Sequence, residues 1–228
     1  MLENLLNQYG LSTEQRQMLV SYIEAIEKWP GNLTNWTGKE LWVRGVLESL
    51  ELRQYFPNPV INALDIGSGA GFPGLPLAVV MPTVQWILID SRSRRVEFLE
   101  SVCEQIGLKN VKVVCDRAEQ FIRDYGGARD GFDVVTARAV AAVPNVVELG
   151  LPFLREGGIL IIPTRRSNGE GTPVDQFIRD LGGDFEWVEG LIPMGNGTQQ
   201  VLRIIKKRLT PALYPRNAKK LGQLRDLS

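Results

Sequence analysis

The chain has 228 residues, which predicts one full domain with an appendage and excludes two enzymes in tandem. Hydrophobic residues at 44% and charged residues at 23% are ordinary for a soluble globular protein, and no apolar run reaches the length of about 18 needed to span a membrane. Histidine is absent, so a Ser-His-Asp triad, a Cys-His dyad, a His-built zinc site and a His general base are excluded together.

The opening MLENLLNQYG carries Glu3 and no basic stretch ahead of a long apolar one, so it does not read as a secretory signal, and a cytoplasmic protein is expected. Cys103 and Cys115 lack CxxC spacing, which predicts two small buried side chains rather than a disulfide or a metal site. Basic and acidic residues balance at 26 each, but from Lys206 to Ser228 seven basic residues face one acidic residue, Asp226. A basic arm on a neutral protein fits contact with an anion, nucleic acid first; a solvated tail without a partner is the alternative.

In chain order, Leu5 and Leu6, then Met18, Leu19, Tyr22, Ile23 and Ile26, recur at three- and four-residue steps and predict helices, the second capped by Ser12 or Thr13. Trp29-Pro30-Gly31-Asn32 breaks the pattern, and a third helix is expected from Lys39 to Tyr55 before Pro57 and Pro59. From residue 60, short apolar runs alternate with helical stretches, predicting parallel strands at 61–66, 84–90, 111–115, 132–136 and 158–163. Two further runs, 185–190 and 200–205, are joined only by Met194-Gly195-Asn196-Gly197-Thr198 and should pair as an antiparallel hairpin. The sum is an α/β protein with a seven-stranded mixed sheet. Its expected divisions are an N-terminal helical extension (1–57), a main domain (58–206) and a basic tail (207–228).

The sharpest signal is Leu64-Asp65-Ile66-Gly67-Ser68-Gly69-Ala70-Gly71-Phe72-Pro73-Gly74, a strand running through four glycines into a helix. Such a loop lets backbone approach a nucleotide-type ligand closely. Gly69 to Gly74 satisfies GxGxxG literally, but in a dinucleotide fold the first glycine opens the loop directly after the strand, and here Gly67 already does so. Asp65-x-Gly67-x-Gly69-x-Gly71 is instead the pattern of S-adenosylmethionine-dependent methyltransferases, which predicts their Rossmann-like class I fold. Asp65 is then placed to accept from the amino group of the methionine moiety. Asp90, at the tip of the second strand, is placed to accept the ribose hydroxyls, with helix capping as its alternative role. Ala118 and Glu119, after the third strand, border the adenine, and Arg138 stands at the carboxyl edge of the fourth, with a surface ion pair as its alternative role.

Asn32-Leu33-Thr34, LDIGSGAGFPGLPLA, the DSRSRRVEFL and RAEQF segments, FDVVTARAVA and Tyr214-Pro215-Arg216 together resemble the bacterial small-subunit ribosomal RNA methyltransferase G family, also called glucose-inhibited division protein B. The resemblance spans nearly the whole chain. It implies methyl transfer from S-adenosylmethionine to N7 of a guanosine in 16S rRNA near the decoding site, with the cofactor held at Gly67, Phe72, Ala118, Glu119 and Arg138. The chain departs from the family pattern in three places. Gly45-Val46-Leu47-Glu48-Ser49 stands where the family usually has His-x-x-Asp-Ser, Thr164-Arg165 where it tends to have Lys-Gly, and Gln199-Gln200 where it tends to have Arg-His.

Such a reaction needs no histidine, because guanine N7 carries a free lone pair at neutral pH. Arg138 is the expected link between cofactor and substrate, and so the expected catalytic residue. RNA contacts are expected from Lys39, Arg44, Arg92, Arg94, Arg95, Arg165, Lys206, Lys207, Arg208 and Arg216, with Arg53 as a further basic residue of the extension. Trp29, Trp36 and Trp42 either stack on bases or pack the extension onto the sheet. The expected partner is 16S rRNA or the small ribosomal subunit, with no metal, no membrane and a monomeric protein. The competing readings are a small-molecule methyltransferase using the same crevice and a non-catalytic RNA-binding assembly protein.

Overall fold

The computed structural model describes residue 6 and residues 8–164, 173–194 and 197–217, with the side chains of 190–199 outside the description. The expected helix around Leu5, the hairpin residues Gly195 and Asn196, Arg165, and Lys219, Lys220 and Arg225 of the tail lie outside the described residues.

Helix α1 (Thr13–Lys28) starts at a reciprocal cap: the Gln15 N–H donates to the Ser12 hydroxyl at 3.1 Å and the Ser12 N–H to the Gln15 side chain at 3.0 Å. Its buried stripe is Leu19, Tyr22, Ile23 and Ile26, the spacing of one helical face. The single helix expected over 39–55 is instead three pieces: a π-helical turn (Leu41–Leu47), the short α2 (Glu48–Glu51) and a 3-10 turn (Leu52–Tyr55). The widening goes with side chains that compete for the helix's own acceptors. The Glu48 N–H bonds to the Val43 carbonyl, five residues back, because the carbonyls of Arg44 and Gly45 are taken by the side chains of Arg138 and Ser49.

The alternating core follows as β1 (Asn62–Ile66), α3 (Gly74–Val80), β2 (Gln85–Asp90), α4 (Ser93–Gln105), β3 (Val111–Cys115), α5 (Ala118–Asp124), β4 (Phe132–Ala137) and α6 (Val143–Gly150). Then come β5 (Leu154–Thr164), α7 (Pro173–Asp180), β6 (Gly183–Met194) and β7 (Gly197–Lys206). The sheet order is β3-β2-β1-β4-β5-β7-β6, with β1 to β5 parallel and β7 antiparallel to both β5 and β6. All seven expected strands form. β5 begins earlier than expected, at Leu154, and its register against β4 shifts between Phe132 and Val134. The irregularity sets Arg155 against Asp133, Nε to Oδ1 at 2.5 Å, while the other oxygen of Asp133 accepts the N–H groups of Ile61 and Asn62 that lead into β1.

Strand alternation divides the core between the two faces of the sheet. Ala63, Val134, Ile159 and Ile161 meet the N-terminal helices in one apolar cluster with Leu19, Tyr22, Leu41 and Val46, and Leu64, Val135, Leu160 and Ile162 meet Phe121, Val147 and Ile178 in the other. The described N-terminal residues therefore share one continuous core with the sheet. Trp42 is buried in it, Trp29 meets the Phe98 ring at 5.2 Å, and Trp36 meets Phe72 at 5.8 Å, so these tryptophans pack the extension. Cys103 is buried as expected, but Cys115 is exposed at the end of edge strand β3. Among the described residues no helix is long and apolar enough to cross a membrane, and no group of three or more Cys, Asp or Glu is placed to hold a metal.

Candidate functional site: a crevice at the carboxyl ends of the strands

β1 leads outward to β2 and β3 and the chain then returns to β4, so the strand order reverses between β1 and β4. Open α/β sheets bind ligands at this point. A crevice of ≈ 310 Å³ lies here. Its floor is Ile66 and Gly67, one wall is Ile89, Asp90 and Ser91 with Asp116 to Glu119, and the other is Val140, Ala141, Asn145 and Leu149.

Gly67 holds the turn from β1 at φ +67°, and its N–H donates to the Ile89 carbonyl at 2.7 Å. A Cβ here would meet Val140 at 2.7 Å, so the residue is small because the opposite wall touches it. Asp90 is buried; Oδ2 accepts from the Gly69 N–H at 2.9 Å and from Arg95 at 3.2 Å, and Oδ1 accepts from the Arg92 N–H at 3.0 Å. A carboxylate has about four acceptor positions, so Asp90 ties the glycine loop to the start of α4 and keeps capacity for a ligand hydroxyl. Asp90 thus stands in the crevice wall and holds the Arg92 N–H just ahead of the helix, but it does not cap it: Arg92 is the N-cap residue, and no side chain caps α4. Glu119, also buried, takes Arg117 Nε at 2.6 Å on one oxygen. Apolar Ile66, Ile89, Val140 and Leu149 with these carboxylates suit a nucleoside, whose base is flat and whose sugar offers hydroxyl donors.

Asp65 departs from expectation. It is fully buried, its carboxylate accepting from the Thr136 hydroxyl at 2.7 Å and from the Gly74 N–H at 3.3 Å, and it is not in the crevice wall. Burial pushes its pKa up to about 7, against the downward pull of Thr136, Ser68 and Gly74. Its place is behind the loop, fastening β1 to α3 and β4, and not in the crevice wall.

Phe72 is likewise buried, its ring against Tyr22 at 5.4 Å and Trp36 at 5.8 Å, and the Tyr22 hydroxyl donates to the Ala70 carbonyl at 2.7 Å. The N-terminal helices therefore pin the glycine loop from behind. Gly69, with φ +59°, and Gly71, with φ +105°, shape the loop without entering the wall. Arg138 is buried to 8% side-chain exposure and pairs with Glu48, while Nη1 donates to the Arg44 carbonyl at 2.5 Å and the guanidinium lies 4.8 Å from the centre of the Trp36 ring. Burial pushes Glu48 up and Arg138 down, each toward its neutral form and against the attraction between them.

Several residues expected to meet RNA are engaged elsewhere. Lys206 is wholly buried; its Nζ donates to the carbonyls of Leu151 at 3.1 Å and Leu154 at 2.6 Å and pairs with Asp130. It is a core cation, not a surface one. Arg216 is bound to Glu148, Arg95 to Asp90, and Arg94 to the Pro30 carbonyl. Arg208, though exposed, donates to the Arg179 carbonyl at 2.7 Å. Arg44 pairs with Glu40 at 3.4 Å and lies 5.3 Å from the Trp36 ring centre. Lys39, Arg92 and Lys207 are exposed. Sequence reasoning missed Val140, Asn145 and Leu149 as lining residues: Val140 lies within the FDVVTARAVA segment but has no chemistry of its own to single it out, and the near face of α6 carries no motif.

A family model described as rRNA small subunit methyltransferase G, or GidB, matches residues 15–170. The ribosomal RNA small subunit methyltransferase G of Staphylococcus carnosus is 35% identical over 214 residues, covering 91% of this chain and 89% of that protein. The protein of the same name from Geobacillus kaustophilus is 37% identical over 224 residues, covering 92% and 94%. Among solved structures, precorrin-6y C5,15-methyltransferase of Geobacter metallireducens aligns with TM-score 0.56 at 15% identity, covering 75% of this chain and 94% of that one. TYW2 of M. jannaschii in complex with AdoMet aligns with TM-score 0.56 at 18% identity, covering 77% and 79%. At such identities the structures show the fold alone, that of class I S-adenosylmethionine-dependent methyltransferases. The sequence relatives show more, because they run along about nine-tenths of both chains: this protein belongs to the rRNA small subunit methyltransferase G family.

Proposed function

We propose that the protein transfers the methyl group of S-adenosylmethionine to N7 of a guanosine in 16S rRNA, acting in the cytoplasm as a monomer on the RNA or the assembling small subunit. The observation that carries this reading is a crevice of ≈ 310 Å³ at the strand-order reversal, floored by Gly67 and flanked by Asp90 and Glu119, in a chain of this family. When bound, the cofactor supplies a methyl group already activated on a sulfonium.

The chain's own residues then have three tasks. Asp90 accepts the ribose hydroxyls with the acceptor capacity that Gly69, Arg92 and Arg95 leave it. Ile66, Ile89, Val140 and Leu149 enclose the base and exclude water, with Ala118 and Glu119 at its edge. The loops around Gly67 and Val140 fix the direction of approach, and orientation of this kind is worth up to roughly 7–11 kcal/mol. N7 needs no deprotonation, which agrees with a chain containing no histidine. RNA contact falls to the exposed Lys39, Arg92 and Lys207 and to Arg165.

The test is transfer of labelled methyl to unmethylated small-subunit rRNA, naked and in subunits, followed by mapping of the modified base. Label at a guanine N7 is the expected result. Cofactor binding without transfer to either substrate would favour a non-catalytic RNA-binding role, and transfer to a small molecule alone would favour the other alternative.

A further inference from the structure

The loop after β4 is both a wall of the crevice and a tether to the N-terminal extension. Val140 and Ala141 line the crevice, and the Val140 methyl groups lie 2.7 and 3.1 Å from where a Cβ on Gly67 would be. Two residues earlier, the Arg138 side chain leaves the sheet and ends on the turn at 41–48, paired with Glu48 and donating to the Arg44 carbonyl at 2.5 Å. Between them Ala139 takes φ +53°, a left-handed conformation uncommon for a residue with a side chain, so something beyond local preference holds the loop in shape.

The receptor for Arg138 is built at a cost to the helix that carries it. In a regular helix the Glu48 N–H would bond to the Arg44 carbonyl; here it bonds to Val43, and the guanidinium takes Arg44's acceptor instead. The second carboxylate oxygen of Glu48 is buried and has no hydrogen-bond partner among the described residues, so this side chain is placed for one interaction, that with Arg138. Trp36 lies against the guanidinium and is itself only partly exposed, which shields the pair from water. Such a pair, with side-chain exposures of 8% and 1%, is a weak source of net stability but a strict geometric constraint.

We propose that Glu48 is a positioning residue for the cofactor: by holding Arg138 against the widened turn at 41–48, it sets the Val140–Ala141 wall against Gly67 and so the width of the crevice. The N-terminal extension is then a working part of the cofactor site, acting through a contact 90 residues away in sequence. The inference rests on reading the crevice as the S-adenosylmethionine site.

The experiment is calorimetric titration of the full chain with S-adenosylhomocysteine, together with kcat and KM for the methyl donor on small-subunit rRNA. E48Q keeps shape and acceptor but removes the charge; it should weaken binding at least tenfold and raise KM for the donor by a similar factor while kcat moves less than threefold. E48D, which keeps the charge, should recover most of the loss, and E48Q/R138Q should bind no worse than the weaker single variant. Folded E48Q with wild-type affinity and KM would overturn the proposal, as would additive losses in the double variant. If E48Q does not fold, R138K decides, since it keeps a buried cation but not the planar two-point fit: a tenfold loss supports the proposal and wild-type affinity overturns it. Wild-type protein that binds no S-adenosylhomocysteine would overturn the crevice reading itself, an outcome distinct from any difference among variants.

Discussion

Arg216 grips both oxygens of Glu148, donating from Nε at 2.9 and 3.1 Å and from Nη2 at 2.6 Å, and its backbone N–H adds a fourth bond at 2.7 Å. Glu148 is wholly buried on α6, the helix that presents Asn145 and Leu149 to the crevice. Arg129 holds the same stretch of chain by donating to the carbonyls of Thr210 and Tyr214. The segment up to Arg216 is therefore fastened to the helix that walls the crevice. Arg216→Ala should lower unfolding free energy by about 3–5 kcal/mol, because a buried carboxylate loses its cation, and Arg216→Ala/Glu148→Leu should regain most of it. Denaturant melts of the three proteins check this. Deleting 209–228 should accordingly weaken cofactor binding as well as RNA binding, so that deletion does not isolate an RNA contact.

Two substitutions probe the crevice directly. Gly67→Val puts a branched side chain at φ +67° and 2.7 Å from Val140. Strain and displacement of the facing wall should weaken S-adenosylhomocysteine binding on the order of a hundredfold. Asp90→Asn removes the charge that gathers Gly69, Arg92 and Arg95 at the crevice wall. Hydrogen bonds to charged groups are worth ~1.5–3 kcal/mol, so the expected loss is roughly 10- to 150-fold. Affinity within threefold of wild type in both variants, measured by calorimetry, would remove the cofactor from this crevice.

The strands and the glycine loop were legible because their signals are local: alternation of apolar residues, a run of glycines, an acid at a strand tip. Asp65 was legible as a special residue but not in its orientation. Its partners Thr136 and Gly74 lie on β4 and at the start of α3, and nothing within its own strand indicates that the carboxylate turns inward to them. The same limit explains the helix expected over 39–55. Its apolar spacing is helical, yet Arg138, 94 residues away, draws off the Arg44 carbonyl and widens the turn. Lys206, Arg216 and Arg95 read as surface charge because composition counts cations without showing their counter-ions, Asp130, Glu148 and Asp90.

Asp65 also makes stability depend on pH. Its folded pKa is raised to about 7 from 3.8, chiefly by burial, so between these values the native state holds a proton that the unfolded chain releases. The contribution is fully present below pH 3.8 and is lost as pH rises through 7. At ~1.36 kcal/mol for each pH unit between the folded and unfolded values, the loss is on the order of 4 kcal/mol. Asp65→Asn, neutral at every pH and still an acceptor for Gly74, should flatten the decline. Urea melts at pH 5 and pH 8 should therefore show wild type losing more stability than the variant over that interval, and equal losses would place the ionisation elsewhere.

Among the basic residues after residue 205, burial separates structural cations from candidates for RNA contact. Lys207 is exposed, whereas Lys206 beside it is sealed against Asp130 and two carbonyls. Each phosphate contact on single-stranded RNA contributes about 0.7 to the slope of log affinity against log salt. Lys207→Ala and Arg92→Ala should each make that slope shallower by roughly this amount, with cofactor affinity unchanged for Lys207→Ala. Lys206→Met should leave the slope alone and lower stability instead, because it strips Asp130 of its partner. A shallower slope in Lys206→Met, measured by filter binding across salt concentrations on folded protein, would mean that the lysine leaves its buried site to meet RNA.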